Sequence, residues 1–182
     1  MVIRAWRFNL ILLGAALTAV IAGCKTPERE AKKQVSTLRV HLESNLAATN
    51  RTEIVSVFRE QPMRFQIEKI PTLNEGDIVS ASIIDVIGGF AIQIKFDQRG
   101  SWLLEQASGQ NPGKHLVIFS QFSQAPEYKL NSGRWLAAPR IEHRIPEGAL
   151  SFTPDATREE ADAIVKGLNN VAKKVHGKAS DL

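Results

Sequence analysis

Residues 77–97 read DIVSASIIDVIGGFAIQIKFD, and this stretch predicts the fold more clearly than any other part of the chain. Gly88 and Gly89 separate two apolar runs, and paired glycines supply the positive φ angles that a tight primed turn requires. After the turn, apolar residues at positions 90, 92, 94 and 96 alternate with small, polar or charged residues. This period of two is typical of a strand with one buried face. We therefore expect an antiparallel hairpin that packs one face against a core.

The sequence on either side of this hairpin predicts an α+β fold. Asp97 follows the second strand and is expected to cap a helix at about 98–108. Thr157 and Glu160 form a capping-box pattern, which predicts a second helix with an apolar stripe. Further alternating or apolar runs predict strands at 36–43, 52–60, 63–70, 113–120, 134–145 and 148–152. We expect a mostly antiparallel, multi-stranded sheet with two packed helices.

A loop that carries aromatic residues is the candidate binding region. Residues 121–133 contain proline and glycine and are predicted to form a loop, and the run at 134–145 is interrupted by Pro139. Proline donates no N–H to a sheet, so this run should be an edge strand or a bend, where an extended peptide can pair through its main chain. The residues predicted to add apolar contacts to such a peptide are Phe122, Tyr128 and Trp135. The alternative is that these rings cover the core.

The N-terminus has the three-part layout of a secretory signal peptide over residues 1–23. Arg4 and Arg7 give a positive start, an apolar run of twelve residues follows, and small residues precede Cys24. The ending at Gly23 and Cys24 resembles the lipobox of bacterial lipoproteins, in which the cysteine thiolate takes a diacylglycerol. The resemblance implies cleavage between these two residues, acylation of Cys24 and firm attachment to a membrane. The alternative is an uncleaved apolar anchor followed by an incidental cysteine.

The length that remains after the leader suits one domain, or one domain with a small subdomain. Removing Arg4 and Arg7 with the leader lowers the formal net charge from +4 to +2, which argues against nucleic acid as a partner. Lys25 stands where many lipoproteins of the inner membrane have aspartate, so the outer membrane is the favoured location in a cell that has one. The expected organisation is the leader at 1–23, the lipidated cysteine and a polar tether at 24–34, an N-terminal β-strand region at 35–71, an α+β domain at 72–176 and a disordered tail at 177–182.

Five segments between residues 73 and 174 carry turn glycines, prolines or regularly placed apolar residues. They are GDIVSA (76–81), IKFDQRGSWLLEQAS (94–108), NPGKHLVIF (111–119), APRIEHRIPEGALSF (138–152) and TREEADAIVKGL (157–168). Together they resemble the head subdomain in the first periplasmic domain of SecD, an accessory subunit of the Sec protein-export machine. The resemblance implies a SecD-like α+β head that contacts an unfolded exported polypeptide or translocon subunits. The longer loop at 121–133 departs from that family.

Neither a catalytic nor a metal-binding pattern stands out in the sequence. The histidines His41, His115, His143 and His176 lack the spacing of metal ligands, and the nucleophile motif G-x-S-x-G is absent. We therefore expect no catalytic residue, no metal site and no cofactor, and we interpret the protein as a non-enzymatic binding or scaffold module. Two alternatives stay open: a structural envelope lipoprotein that packs on a folded partner, and a hydrolase of the envelope.

Overall fold

The structure, a computed structural model, describes four stretches of the chain: residues 32–45, 50–123, 128–131 and 133–179. The predicted leader, Cys24 and most of the tether lie outside the described residues. One compact unit is formed by Ala31–Leu182. Its strands are β1 (Ser36–Leu42), β2 (Thr52–Val57), β3 (Met63–Glu68), β4 (Leu73–Asn74), β5 (Ile78–Val86), β6 (Gly89–Phe96), β7 (Leu116–Phe122), β8 (Arg134–Ala137) and β9 (Ala149–Phe152). Its helices are α1 (Gln98–Gln110) and α2 (Arg158–Ala179), and a 3₁₀ turn at Glu75–Asp77 precedes β5.

The strand pairings are antiparallel, and within the described residues they form three sheets. The first sheet has the order β4-β1-β7-β8, the second has the order β5-β6-β9, and β2 pairs with β3 alone. The predicted α+β fold with mostly antiparallel strands and two helices is confirmed. The strands divide into separate sheets because β5 pairs with β6, and β6 pairs with β9 on its other side, rather than with β1.

β1 is a central strand, although it comes from the predicted N-terminal region at 35–71. It pairs with β7 from Ser36↔Phe122 to Leu42↔Leu116, and its other edge pairs with β4. α2 crosses close to the start of this strand at Gly167. A Cβ built on Gly167 would lie 2.2 Å from Ser36 Oγ, so only glycine permits this approach. The strand and the last helix are therefore parts of one packed structure.

The hairpin β5–β6 forms as predicted, with one correction at its turn. Val86 pairs with Gly89, so the turn residues are Ile87 and Gly88 rather than the two glycines. Gly88 alone has the positive φ of +86°, and Gly89 is the first residue of β6. A single glycine is sufficient because only one of the turn residues adopts the left-handed region. Ile87 is left fully exposed at the tip of the hairpin.

Both predicted helix starts are confirmed, and both helices run further than predicted. The Asp97 side chain accepts a hydrogen bond from the Gly100 N–H at 2.7 Å, which caps α1. Thr157 and Glu160 exchange the two bonds of a capping box at the start of α2. α2 continues to Ala179, through part of the tail predicted to be disordered at 177–182. Just before this tail, His176 attaches the helix to β5, because its Nε2 donates to the carbonyl of Ile78 at 2.9 Å.

Two clusters of buried side chains hold these elements together. The larger core lies between the first two sheets and the helices, and includes Ile164 of α2 at 0% exposure. The smaller core lies between the β2–β3 hairpin and the outer face of the first sheet. Its buried residues are Val57, Phe65, Ile67 and Val117. The small core places the hairpin beside β8, where the candidate site lies.

Candidate peptide-binding groove

A groove of about 600 Å³ opens between three segments that are distant in the sequence. Its walls are the β2–β3 connection at 58–61 with Met63, the end of β8 at 137–139, and the residues after β9 at 152–155. Most of the lining is apolar, and Met63 is 51% exposed on one side of the opening. Ligand and peptide sites are commonly concave and mostly apolar, with a few polar groups at the rim. This groove has that composition.

The β2–β3 connection contributes the wall with unusual backbone geometry. Val57 pairs with Met63, so residues 58–62 form the link between the two strands. Phe58 has a φ of 70°, in the left-handed region that a bulky side chain rarely adopts. Its ring packs against the small core, and this contact offsets the backbone cost. The packed ring and the pairing of Val57 fix the start of the wall.

The edge of β8 is partly closed to strand addition. The prediction of an edge strand interrupted at Pro139 is confirmed, because β8 ends at Ala137 and is the last strand of its sheet. However, the Leu136 carbonyl already accepts a hydrogen bond from the Asp155 N–H at 2.7 Å. Pro139 and Pro154, which both line the groove, have no N–H to donate. The groove is therefore better suited to apolar side chains than to a continuous ladder of main-chain hydrogen bonds.

One ion pair joins the β2–β3 connection to the segment after β9, and a second pair nearby joins β8 to α2. The Arg59 N–H donates to Asp155 Oδ2 at 2.9 Å, and its guanidinium Nη2 lies 3.1 Å from Oδ1. Arg134 donates to both carboxylate oxygens of Glu160, at 3.0 and 2.5 Å. Burial raises the pKa of Asp155, but the hydrogen bonds and charge of Arg59 outweigh this effect and hold that pKa below its usual value. The carboxylate of Asp155 is thus kept ionised at the rim.

The structure does not bring the three predicted aromatic contacts together at the groove. Phe122 is 1% exposed in the larger core, so the expectation that it offers its ring to a peptide is wrong for this residue. The physical reason is register: β7 extends to Phe122, whose partner Ser36 is also buried, and its side chain takes the inward position. Arg134 covers the same ring, with its guanidinium carbon 5.5 Å from the ring centroid.

Tyr128 and Trp135 are half-buried, and neither lines the groove. Lys33 places its Nζ 5.7 Å from the centre of the Tyr128 ring. Trp135 packs its ring on Phe119 at 5.1 Å and on His41 at 5.2 Å. Trp135 therefore lies on the face of the sheet that the β2–β3 hairpin partly covers, and peptide contact at these two residues stays a prediction.

His41 lies beneath the β2–β3 hairpin, at the end opposite the groove. The residue is 5% exposed, and its Nδ1 lies 2.8 Å from the carbonyl oxygen of Glu68. Because a carbonyl only accepts, this nitrogen carries the proton of the neutral ring. Burial lowers the pKa of His41, and the nearby charge of Arg39 acts in the same direction. The Glu68 carbonyl and the Glu53 charge raise this pKa less strongly than burial lowers it, and each has a larger effect than Arg39.

Sequence reasoning missed the groove because its walls meet only in three dimensions. The two predicted strands at 52–60 and 63–70 gave no sign that their connection would pass beside residues 152–155. Pro139 and Pro154 were the available signal, since prolines are common where a chain borders an edge. Among the described residues, no group of three His, Cys, Asp or Glu is arranged to hold a metal ion.

Comparisons with known proteins give a fold likeness and little more. No protein-family model and no curated protein sequence matches the chain. Among solved structures, it is similar to a membrane component SecDF described as enhancing protein export, with 18% identity and a TM-score of 0.53. That match covers 82% of this chain and 71% of the other. A second similar structure, SecDF in a super-membrane-facing form, gives 19% identity and a TM-score of 0.53 over 81% of this chain and 21% of the other.

The predicted resemblance to SecDF is therefore confirmed at the level of fold. The predicted domain at 72–176 has 105 of the 182 residues, whereas the match covers 82% of the chain. The likeness therefore also includes residues outside that domain. Identity this low says nothing by itself about shared activity. In the described part of the chain, no helix combines the length and apolar character needed to cross a membrane.

Proposed function

We propose that this protein is a lipid-anchored, non-catalytic binding module of the cell envelope. Its anchor is Cys24, its exported domain is the compact unit described above, and its ligand is unfolded, exported polypeptide. The groove between 58–63, 137–139 and 152–155 receives apolar side chains of that polypeptide. The anchor rests on the lipobox pattern, and a Cys24→Ser variant that still matures and stays firmly on the membrane would remove it.

The observation that carries this proposal is the exposed apolar groove bordered by the end of an edge strand. Burial of a single large apolar side chain contributes about 1.5–3 kcal/mol to the free energy of binding. A groove that takes one or two such side chains gives weak binding, near the millimolar range that corresponds to about 4 kcal/mol. Weak, sequence-tolerant contact suits a module that meets many different unfolded chains.

The fold likeness supports the choice of ligand. The similar SecDF structure is described as a membrane component that enhances protein export. A domain with this fold on the outer side of a membrane would meet polypeptides before they fold. The proposal transfers only this contact, and it transfers no energy-coupled step.

The groove assignment is tested with a charge placed in its wall. Ala138 is half-buried and lines the groove, so Ala138→Glu should weaken binding of a reduced, unfolded exported protein by about tenfold or more, because a carboxylate would have to lose its water. Ser82→Glu adds the same charge at an exposed position of β5 and should leave the affinity unchanged. Equal affinities for the two variants would overturn the groove as the site.

A second candidate function is a structural lipoprotein that packs on a folded partner. The observation that favours it is Trp102, which is 59% exposed on α1 between two shallow depressions. Exposed tryptophans are enriched at protein interfaces. Crosslinking in intact envelopes separates the two functions: one stoichiometric folded partner lost in Trp102→Ala would favour this candidate, and many unfolded exported chains would favour the first.

A further inference from the structure

The β2–β3 hairpin is attached to the rest of the fold near both of its ends. Near the ends of the strands, the Ser44 N–H donates to the Gln66 carbonyl at 2.8 Å and His41 donates to Glu68. At the connection, Arg59 binds Asp155. Between these attachments lies the small core, which is far less extensive than the main one. The hairpin that forms one wall of the groove therefore has few buried contacts to hold it in place.

One of the two contacts near the strand ends, that of His41, places an imidazole where only its neutral form is readily accommodated. The His41 ring is enclosed by the hairpin on one side and by the edge of Trp135 on the other, with ring centroids 5.2 Å apart. A protonated ring would carry a full charge into this space, where water is largely excluded. Opening of the hairpin would return that charge to water.

The charged groups that face His41 come from each strand packed against it. Arg39 on β1 opposes a second positive charge, and Glu53 on β2 favours it. Glu68 on β3 contributes its backbone carbonyl. Near the end of β1, the Glu43 carboxylate is already engaged by His115 at 2.7 Å. Glu53 acts on the ring through its charge from an exposed position.

We propose that the hairpin is an acid-sensitive wall of the groove: protonation of His41 releases the strand ends, while the Arg59–Asp155 pair keeps the connection attached. The hairpin then pivots about that pair, and the groove loses its fixed shape. The release of the hairpin does not depend on what the groove binds. The expected effect on polypeptide binding does rest on the proposed function, because the groove that would be regulated is the one proposed to bind polypeptide.

The two attachments respond to different ranges of pH. Burial lowers the pKa of His41 from the usual 6.5, so the open hairpin binds the proton more tightly than the closed one. The closed form therefore loses stability as the pH falls below about 6.5. Asp155 has a pKa below its usual 3.8, so its contribution is present above that value and is lost only as the pH falls through it. Between these limits, the attachment at His41 is weakened while the Arg59–Asp155 pair keeps its charge.

The test is hydrogen exchange of the purified full chain without any peptide. After correction for the intrinsic rate, the amides of β2 and β3 should exchange severalfold faster at about pH 5.5 than at about pH 7.5, because each pH unit below the pKa of the open form changes the equilibrium by up to tenfold. The amides of β5 and β6 should keep their protection. His41→Gln, whose amide can still donate to Glu68, should remove the difference, and His143→Gln at an exposed position should retain it.

Three results would overturn the proposal. They are an unchanged hairpin at low pH, an equal acid response in His41→Gln, and loss of the response in His115→Gln with His41 intact. If His41→Gln does not fold, the protonation of each histidine ring in the parent protein is followed by NMR as the pH is lowered. The exchange of the hairpin amides must then follow the protonation of His41 and not that of another histidine. Peptide affinity is measured separately at both pH values. Absence of binding at neutral pH counts against the proposed function, whereas the exchange data alone decide the release of the hairpin.

Discussion

The two β-hairpins of this protein share antiparallel pairing but differ in what supports them. β5–β6 is extended by β9 on one side, and on β5 the side-chain amide of Asn169 from α2 accepts from the Ala81 N–H and donates to the Ala81 carbonyl. β2–β3 forms a sheet of its own over a few buried side chains. The first hairpin therefore belongs to the part of the fold built on the larger core, which we call the frame. The second hairpin is a separately attached wall of the groove and can move more freely during binding.

The largest expected effect comes from breaking the frame. Ile164 of α2 is 0% exposed in the larger core, so Ile164→Asp places an unpaired charge there and should cost several kcal/mol. This is comparable to the whole stability of a domain, about 5–15 kcal/mol. Chemical denaturation measures the loss, and the exposed Lys166→Ala should stay within about 0.5 kcal/mol of the parent. Small, equal changes in both variants would show that α2 is not docked.

A smaller and more local effect is expected from the wall. Phe65 is 5% exposed in the small core, and its ring centroid lies 4.9 Å from that of His115. Phe65→Ala should therefore lower the free energy of unfolding by about 3 kcal/mol, the lower end of the range for a buried phenylalanine. Hydrogen exchange should show the loss in β2 and β3 while β5 and β6 stay protected. Ile54→Ala, at a position 65% exposed on the same hairpin, is the matched control. Loss of protection throughout the fold would mean that the two hairpins unfold as one unit.

The smallest effect is expected from the ion pair at the connection. Asp155→Asn keeps the size of the side chain but removes its charge, and because Arg59 is 56% exposed the cost should be about 1 kcal/mol or less. The parent should lose this contribution as the pH falls below about 3.8, and the variant should lack that part of the acid response. Thermal melts across pH 3–7 measure both, with the exposed Asp162→Asn as control. The same acid response in Asp155→Asn as in the parent would contradict the role of this pair.

The frame was predictable from the sequence because its signals are local. Gly88 marked the turn, Asp97 marked the start of α1, and Thr157 with Glu160 marked the start of α2. Each of these residues acts on neighbours within a few positions, so the pattern alone carries the information.

The candidate site was not predictable, because it depends on long-range register and packing. The burial of Phe122 follows from pairing with Ser36, which is 86 positions away in the chain. The wall of the groove is set by the packing of Phe65 and Val57 on Val117, and by the contact of Arg59 with Asp155. Periodicity within a strand describes its two faces, and it does not say which other element will cover each face.

The most direct test of the central claim is to map where an unfolded chain binds. The full chain is titrated with a reduced, unfolded exported protein, and the amide shifts are followed by NMR. We predict that the shifts cluster at 58–63, 137–139 and 152–155, with the amides of β5 and β6 unchanged. Shifts confined to the surface around Trp102 or to 128–135, or no binding up to millimolar concentrations, would contradict the account.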